Sequence, residues 1–148
     1  MEAELSVGQQ RIVFDRAATI ALYRDTVTVA GADRCTCISC KNFAVQGSKA
    51  YPAEFLQFLK ELGVDPLKEW EAFDYDFTQN ASKHLYGGWF LFSGQLVEGS
   101  DKRPQRTQQT FTHWFTTSFP MGTLPTQVTF CAVEFLTEIP WIVPEMPK

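Results

Sequence analysis

The spacing of apolar positions changes character once along this chain, near residue 70. Before that point, Phe55, Leu56, Phe58, Leu59 and Leu62 recur at helical spacing and predict one principal helix over about residues 52–62. Pro52 suits the start of a helix, where its missing N–H does no harm, and Glu54 meets the positive end of the helix dipole. Gly63 suits a left-handed stop, and residues 64–69 read as a short further helical turn. Beyond residue 70 alternation takes over. Phe73, Tyr75 and Phe77 fall on one side of a strand, with Asp74 and Asp76 on the other. Residues 84–97 predict a long strand bent at Gly87-Gly88, where glycines mark a bulge or a close backbone approach. Residues 111–118 and 127–136 predict two more strands. Earlier, the β-branched alternation at 26–29 predicts a strand and 30–33 a turn. The final apolar stretch, 139–144, is broken by Pro140 and Pro144 and reads as an edge segment. Hairpin-length loops and one helix do not suit a parallel sheet, which needs crossover helices. The expected fold is therefore α+β, a mostly antiparallel sheet with one principal helix, in a single globular domain over residues 1–148.

Composition sharpens this in two ways. The 13 Phe, 4 Trp and 4 Tyr suit packed sheet faces. The formal net charge of −4 lacks the basic field that coating a nucleic acid requires. No apolar stretch reaches the roughly 20 residues of a membrane helix, and residues 1–5 show no basic, apolar leader. The expectations are a cytoplasmic protein with no nucleic-acid partner and no membrane partner. A homodimer through sheet edges is open to it, and a small-molecule ligand is unspecified.

Three of the four cysteines fall inside six residues, as Cys35-Thr36-Cys37-Ile38-Ser39-Cys40. In a reducing compartment such clusters bind metal or do thiol chemistry more often than they form disulfides. Cys37 and Cys40 have the spacing that lets one turn direct two sulfurs at one zinc ion, and Cys35 can supply a third. The fourth ligand is open among Cys131, His84, His113 and Asp33, and the second C-x2-C of a zinc ribbon is absent. Cys131, beside Phe130 and Val133, also fits a buried core thiol; each histidine also fits a structural role. A dithiol of Cys37 and Cys40, with Lys41 adjacent, is the redox alternative, although Gly47 leaves little room for a long helix after Cys40. Reduced cysteines in a tight turn, with no ligand, fit the same pattern.

Other groups are weaker. Asp74 and Asp76, near Glu69 and Glu71, could act as paired carboxylates but fit a solvated strand face. Lys102, Arg103 and Arg106 fit a solvated loop as well as a phosphate contact. No G-x-S-x-G, Gly-rich phosphate loop or H-E-x-x-H occurs.

The segments Cys35-Thr36-Cys37-Ile38-Ser39-Cys40-Lys41-Asn42-Phe43 and His84-Leu85-Tyr86-Gly87-Gly88-Trp89-Phe90 resemble those of a group of small uncharacterised bacterial proteins of similar length. The Tyr51-Pro52-Ala53-Glu54 helix start and Pro140-Trp141 also fit. The resemblance implies that the cysteines and the His-Tyr-Gly-Gly-Trp segment belong to one site; it implies no reaction. The expectation is a thiolate site at Cys35, Cys37 and Cys40 that holds zinc in a structural or binding role. The alternatives are a thiol-redox enzyme using Cys37 and Cys40, or a metal-assisted hydrolase.

Overall fold

The computed structural model describes residues 2–27, 30–77, 83–100, 111–117 and 129–144. In chain order the elements are β1 (Glu2–Val7), β2 (Gln10–Asp15), α1 (Arg16–Asp25), α2 (Ile38–Gln46), α3 (Ala53–Leu62), β3 (Glu71–Phe77), β4 (Lys83–Glu98), β5 (Phe111–Thr116) and β6 (Phe130–Pro140). Short 3₁₀ turns at Ala32–Arg34 and Gly47–Ala50 flank α2. The six strands form an antiparallel sheet in the order β1-β2-β4-β6-β5, and β3 pairs with β4. The expectation of an α+β fold with a mostly antiparallel sheet therefore holds, and among the described residues the sheet is accompanied by three helices, not one.

The sheet is organised by β4. Its first half pairs with β3 on one side and its second half with β2 on that same side, while β6 runs along the other. The paired glycines explain how β3 comes so close. A Cβ at Gly87 would stand 2.5 Å from the Tyr75 ring, and one at Gly88 would enter the Glu71 carbonyl. Tyr75 occupies the irregularity where the β3 register shifts between Asp74 and Asp76. Phe43 of α2, Tyr51 just before α3 and Phe55 within it then close over Tyr86, Phe90 and Phe135 of β4 and β6, with Tyr51 and Phe135 ring centroids 5.1 Å apart.

Helix α3 matches its pattern. Phe55, Leu59 and Leu62 are its buried face, and Gly63 ends it at φ 88°. The two unexpected helices have weaker stripes. In α1 the Asp15 side chain caps the Ala18 N–H at 3.0 Å, and Thr19, Leu22 and Tyr23 turn inward. This helix runs to Asp25, so Thr26 and Val27 follow a helix end and do not begin the expected strand. Residues 64–70 form a turn and no helix. The 139–144 segment is also corrected at its start. Ile139 and Pro140 continue β6, a strand flanked by β4 and β5, with Pro140 opposite Lys83. Pro140 is tolerated because β5 pairs only as far as Thr137, so its missing N–H breaks no β5 bond. The basic loop of Lys102, Arg103 and Arg106 lies outside the described residues. Among the described residues no helix is long and apolar enough to cross a membrane.

Candidate metal centre

Cys35, Cys37 and Cys40 are brought together where the chain enters α2. The 3₁₀ turn Ala32–Arg34 ends at Cys35, whose N–H donates to the Ala32 carbonyl at 3.3 Å. Cys37 is the N-cap of α2, in extended backbone, and its Sγ accepts the Cys40 N–H at 3.4 Å. The cluster opens a nine-residue helix. The three sulfurs all lie within 4.8 Å of one another, with Cys35 and Cys37 Sγ 3.2 Å apart. All four cysteines are free thiols.

The turn is held from beneath at Ser39, between the two cysteines of the C-x2-C. Its hydroxyl donates to Asp74 Oδ2 at 2.8 Å, and its carbonyl accepts the Tyr86 hydroxyl at 2.7 Å. Thus β3 and β4 each grip one polar group of the same residue. Asp74 also bonds His84, with Nδ1 2.9 Å from both carboxylate oxygens. A carboxylate only accepts, so Nδ1 carries the proton in this pair. Asp74 is therefore a half-buried anchor, which corrects its reading as a solvated strand face. Farther along α2, buried Asn42 donates to the Pro140 carbonyl at 3.2 Å and accepts the Ile142 N–H at 2.8 Å; Gln46 reaches the same Pro140 carbonyl at 2.9 Å. These bonds hold α2, which lacks a strong apolar stripe, and so fix where its first turn places the thiols. Upstream, Gly31 donates to the Glu69 carbonyl at 2.7 Å, and the Arg34 guanidinium bonds the Trp70 carbonyl and covers the Trp70 ring.

The thiols differ electrostatically. The Cys37 backbone N–H, with smaller contributions from the Cys37 and Cys40 thiols, holds the Cys35 thiol below its ordinary value. Burial pushes the Cys40 thiol well up, and its two thiol neighbours add to this. Removing the Cys40 proton therefore calls for a cation among the thiols. A tetrahedral zinc with bonds of about 2.3 Å sets its sulfurs about 3.8 Å apart, and the observed separations allow that with small side-chain adjustment. Beside the thiols a depression of about 330 Å³ opens against Thr36, Cys37, Ile38 and Ser39.

The other ligand candidates are placed elsewhere. Cys131 is fully buried on β6, with its Sγ 3.4 Å from the Thr116 carbonyl. His113 packs between the Phe55 and Phe58 rings at 4.9 and 5.0 Å, and burial pushes its imidazole down to about 4. His84 is engaged with Asp74 and packs at a tilt against the Trp141 ring, centroids 4.7 Å apart. Among the described residues, the group of metal-ligating atoms contains the three cysteines and neither these residues nor Asp33. The Ser39–Asp74 and Ser39–Tyr86 bonds were missed in the sequence, because they join residues 35 and 47 positions apart. No protein-family model matches the chain, and no curated protein or solved structure matches it.

Proposed function

We propose that this domain binds a soft metal ion, zinc in the first instance, through Cys35, Cys37 and Cys40, and leaves a fourth position for a ligand from outside. The observation that carries this reading is the convergence of three sulfurs within 4.8 Å on a turn clamped through Ser39. A closed structural zinc site takes four protein ligands, whereas a site with three keeps a position for water, substrate or partner. The adjoining depression gives such a ligand access. The Tyr86 bond to Ser39 supports joining the cysteines and the His84–Phe90 segment in one site, as the resemblance implies. The role is binding; an open position is also what a metal-assisted hydrolase needs.

A second reading rests on the N-cap position of Cys37. Its Sγ accepts the Cys40 N–H and lies 3.2 Å from the Cys35 Sγ, so a dithiol of Cys37 and Cys40 sits at the mouth of the helix where an acceptor disulfide can reach it. In that reading Cys37 and Cys40 give two electrons and two protons to an acceptor disulfide and become a disulfide themselves. Titration with Co²⁺ separates the two. Sulfur-to-cobalt charge-transfer bands at one equivalent, lost in Cys35→Ser, Cys37→Ser and Cys40→Ser, support the metal site. Absence of those bands, with a Cys37–Cys40 disulfide that equilibrates with glutathione, supports the redox reading.

A further inference from the structure

A second cavity, of about 270 Å³, lies behind the thiol turn. Asp33, Phe43, Tyr51, Pro66, Leu67 and Glu69 are among its walls. Two features separate it from an ordinary surface dimple. Its lining has two carboxylates and, among the described residues, no cationic side chain. It also has a buried polar atom without a partner, because the Tyr51 hydroxyl, on a side chain only 6 % exposed, makes no hydrogen bond among the described residues. An unsatisfied buried hydroxyl costs stability, so its retention beside a cavity points to a ligand that completes it.

The carboxylates set the sign of that ligand. Glu69 is 3 % exposed, and the Ala32 N–H donates to its Oε1 at 3.0 Å. The Glu69 backbone N–H also donates to it, and these two bonds leave the carboxylate with further lone pairs to offer. The Arg34 guanidinium, which acts on this carboxyl from a distance, is turned to the Trp70 carbonyl and ring. Desolvation raises the Glu69 carboxyl to about 7, so a cation brought into the cavity would supply the counter-charge that burial denies it. Phe43 and Tyr51, with ring centroids 6.2 Å apart in an edge-to-face arrangement, are aromatic parts of the wall. We propose that this cavity binds the ammonium group of a small organic amine, with Glu69 as counter-ion, the Tyr51 hydroxyl as hydrogen-bond acceptor and the Phe43 and Tyr51 rings as walls. The site stands independently of the thiol cluster. The two share the chain around α2, since Asp33 precedes Cys35 and Phe43 follows Cys40.

The test titrates ¹⁵N-labelled protein with benzylamine and with its neutral counterpart, benzyl alcohol. Benzylamine should give saturable shifts at Ala30, Gly47 and Leu67 amides, and the alcohol should bind at least tenfold more weakly. Glu69→Gln, which keeps the size of the side chain, should weaken the amine at least tenfold. Tyr51→Phe, which removes only the unpartnered hydroxyl, should weaken it several-fold. Equal binding of amine and alcohol overturns the proposal, as does a Glu69→Gln variant that binds like the parent. Failure of benzylamine to bind at millimolar concentration, or shifts confined to other regions, also overturns it. The amine–alcohol comparison is made on the unaltered chain, so it stands even where a variant folds poorly.

Discussion

Glu69→Gln should alter the pH dependence of folding in a direction opposite to that of most carboxyl replacements. In the folded chain burial raises this carboxyl from 4.5 to about 7, while the Ala32 N–H opposes the shift more weakly. The sign follows from proton counting. Between those two pH values the folded chain holds the Glu69 proton and the unfolded chain has lost it, so stability falls as pH rises. At about 1.4 kcal/mol per pH unit, crossing the interval from 4.5 to about 7 costs roughly 3 kcal/mol. Glutamine keeps an oxygen for the Ala32 N–H and has no charge to desolvate. The variant should match the parent near pH 4.5 and exceed it by roughly 2–3 kcal/mol at pH 8. Urea unfolding at half-unit pH steps, on both proteins, gives the difference curve directly, and other titrating groups cancel in it. A flat difference curve, or a variant less stable than the parent at pH 8, would refute the buried, proton-holding state of Glu69.

Three further outcomes follow from named contacts. Asn42→Ala removes a buried amide that satisfies the Pro140 carbonyl and the Ile142 N–H, and should cost about 2–3 kcal/mol in chemical unfolding. Gly88→Ala drives a methyl into the Glu71 carbonyl; it should cost at least about 2 kcal/mol or separate β3 from β4, seen as faster amide exchange along Glu71–Asp74. His113 titrates in the opposite sense to Glu69. Its imidazole is neutral in the fold and drops to about 4, so stability is lost as pH falls from 6.5 toward 4, and His113→Phe should remove that part of the acid sensitivity in the same unfolding series.

What could be read in the chain depended on whether an element announces itself locally. Helix α3 did, because Phe55, Leu59 and Leu62 give it a strong stripe and Gly63 a stop. So did β4, because Gly87 and Gly88 interrupt a long apolar run for a steric reason that lies on the neighbouring β3. Helix α1 did not, since Thr19, Leu22 and Tyr23 form a thin apolar face and the β-branched residues after it imitate a strand. Helix α2 was hidden for another reason. Its inward positions include Asn42 and Gln46, whose burial is favourable only because Pro140 and Ile142 receive their hydrogen bonds. The thiol cluster was legible from spacing alone, because Cys35, Cys37 and Cys40 need only one turn to converge. Its support was not: Asp74 looked like one of several surface acids until β3 placed it under Ser39 and against His84.

The most direct test of the three-thiolate centre is zinc-edge X-ray absorption on protein loaded with one equivalent of the ion. The account predicts three sulfurs at about 2.3 Å and one oxygen or nitrogen at about 2.0 Å, with the sulfur count falling in Cys37→Ser and unchanged in Cys131→Ser. A shell of four sulfurs, or one without sulfur, would contradict it.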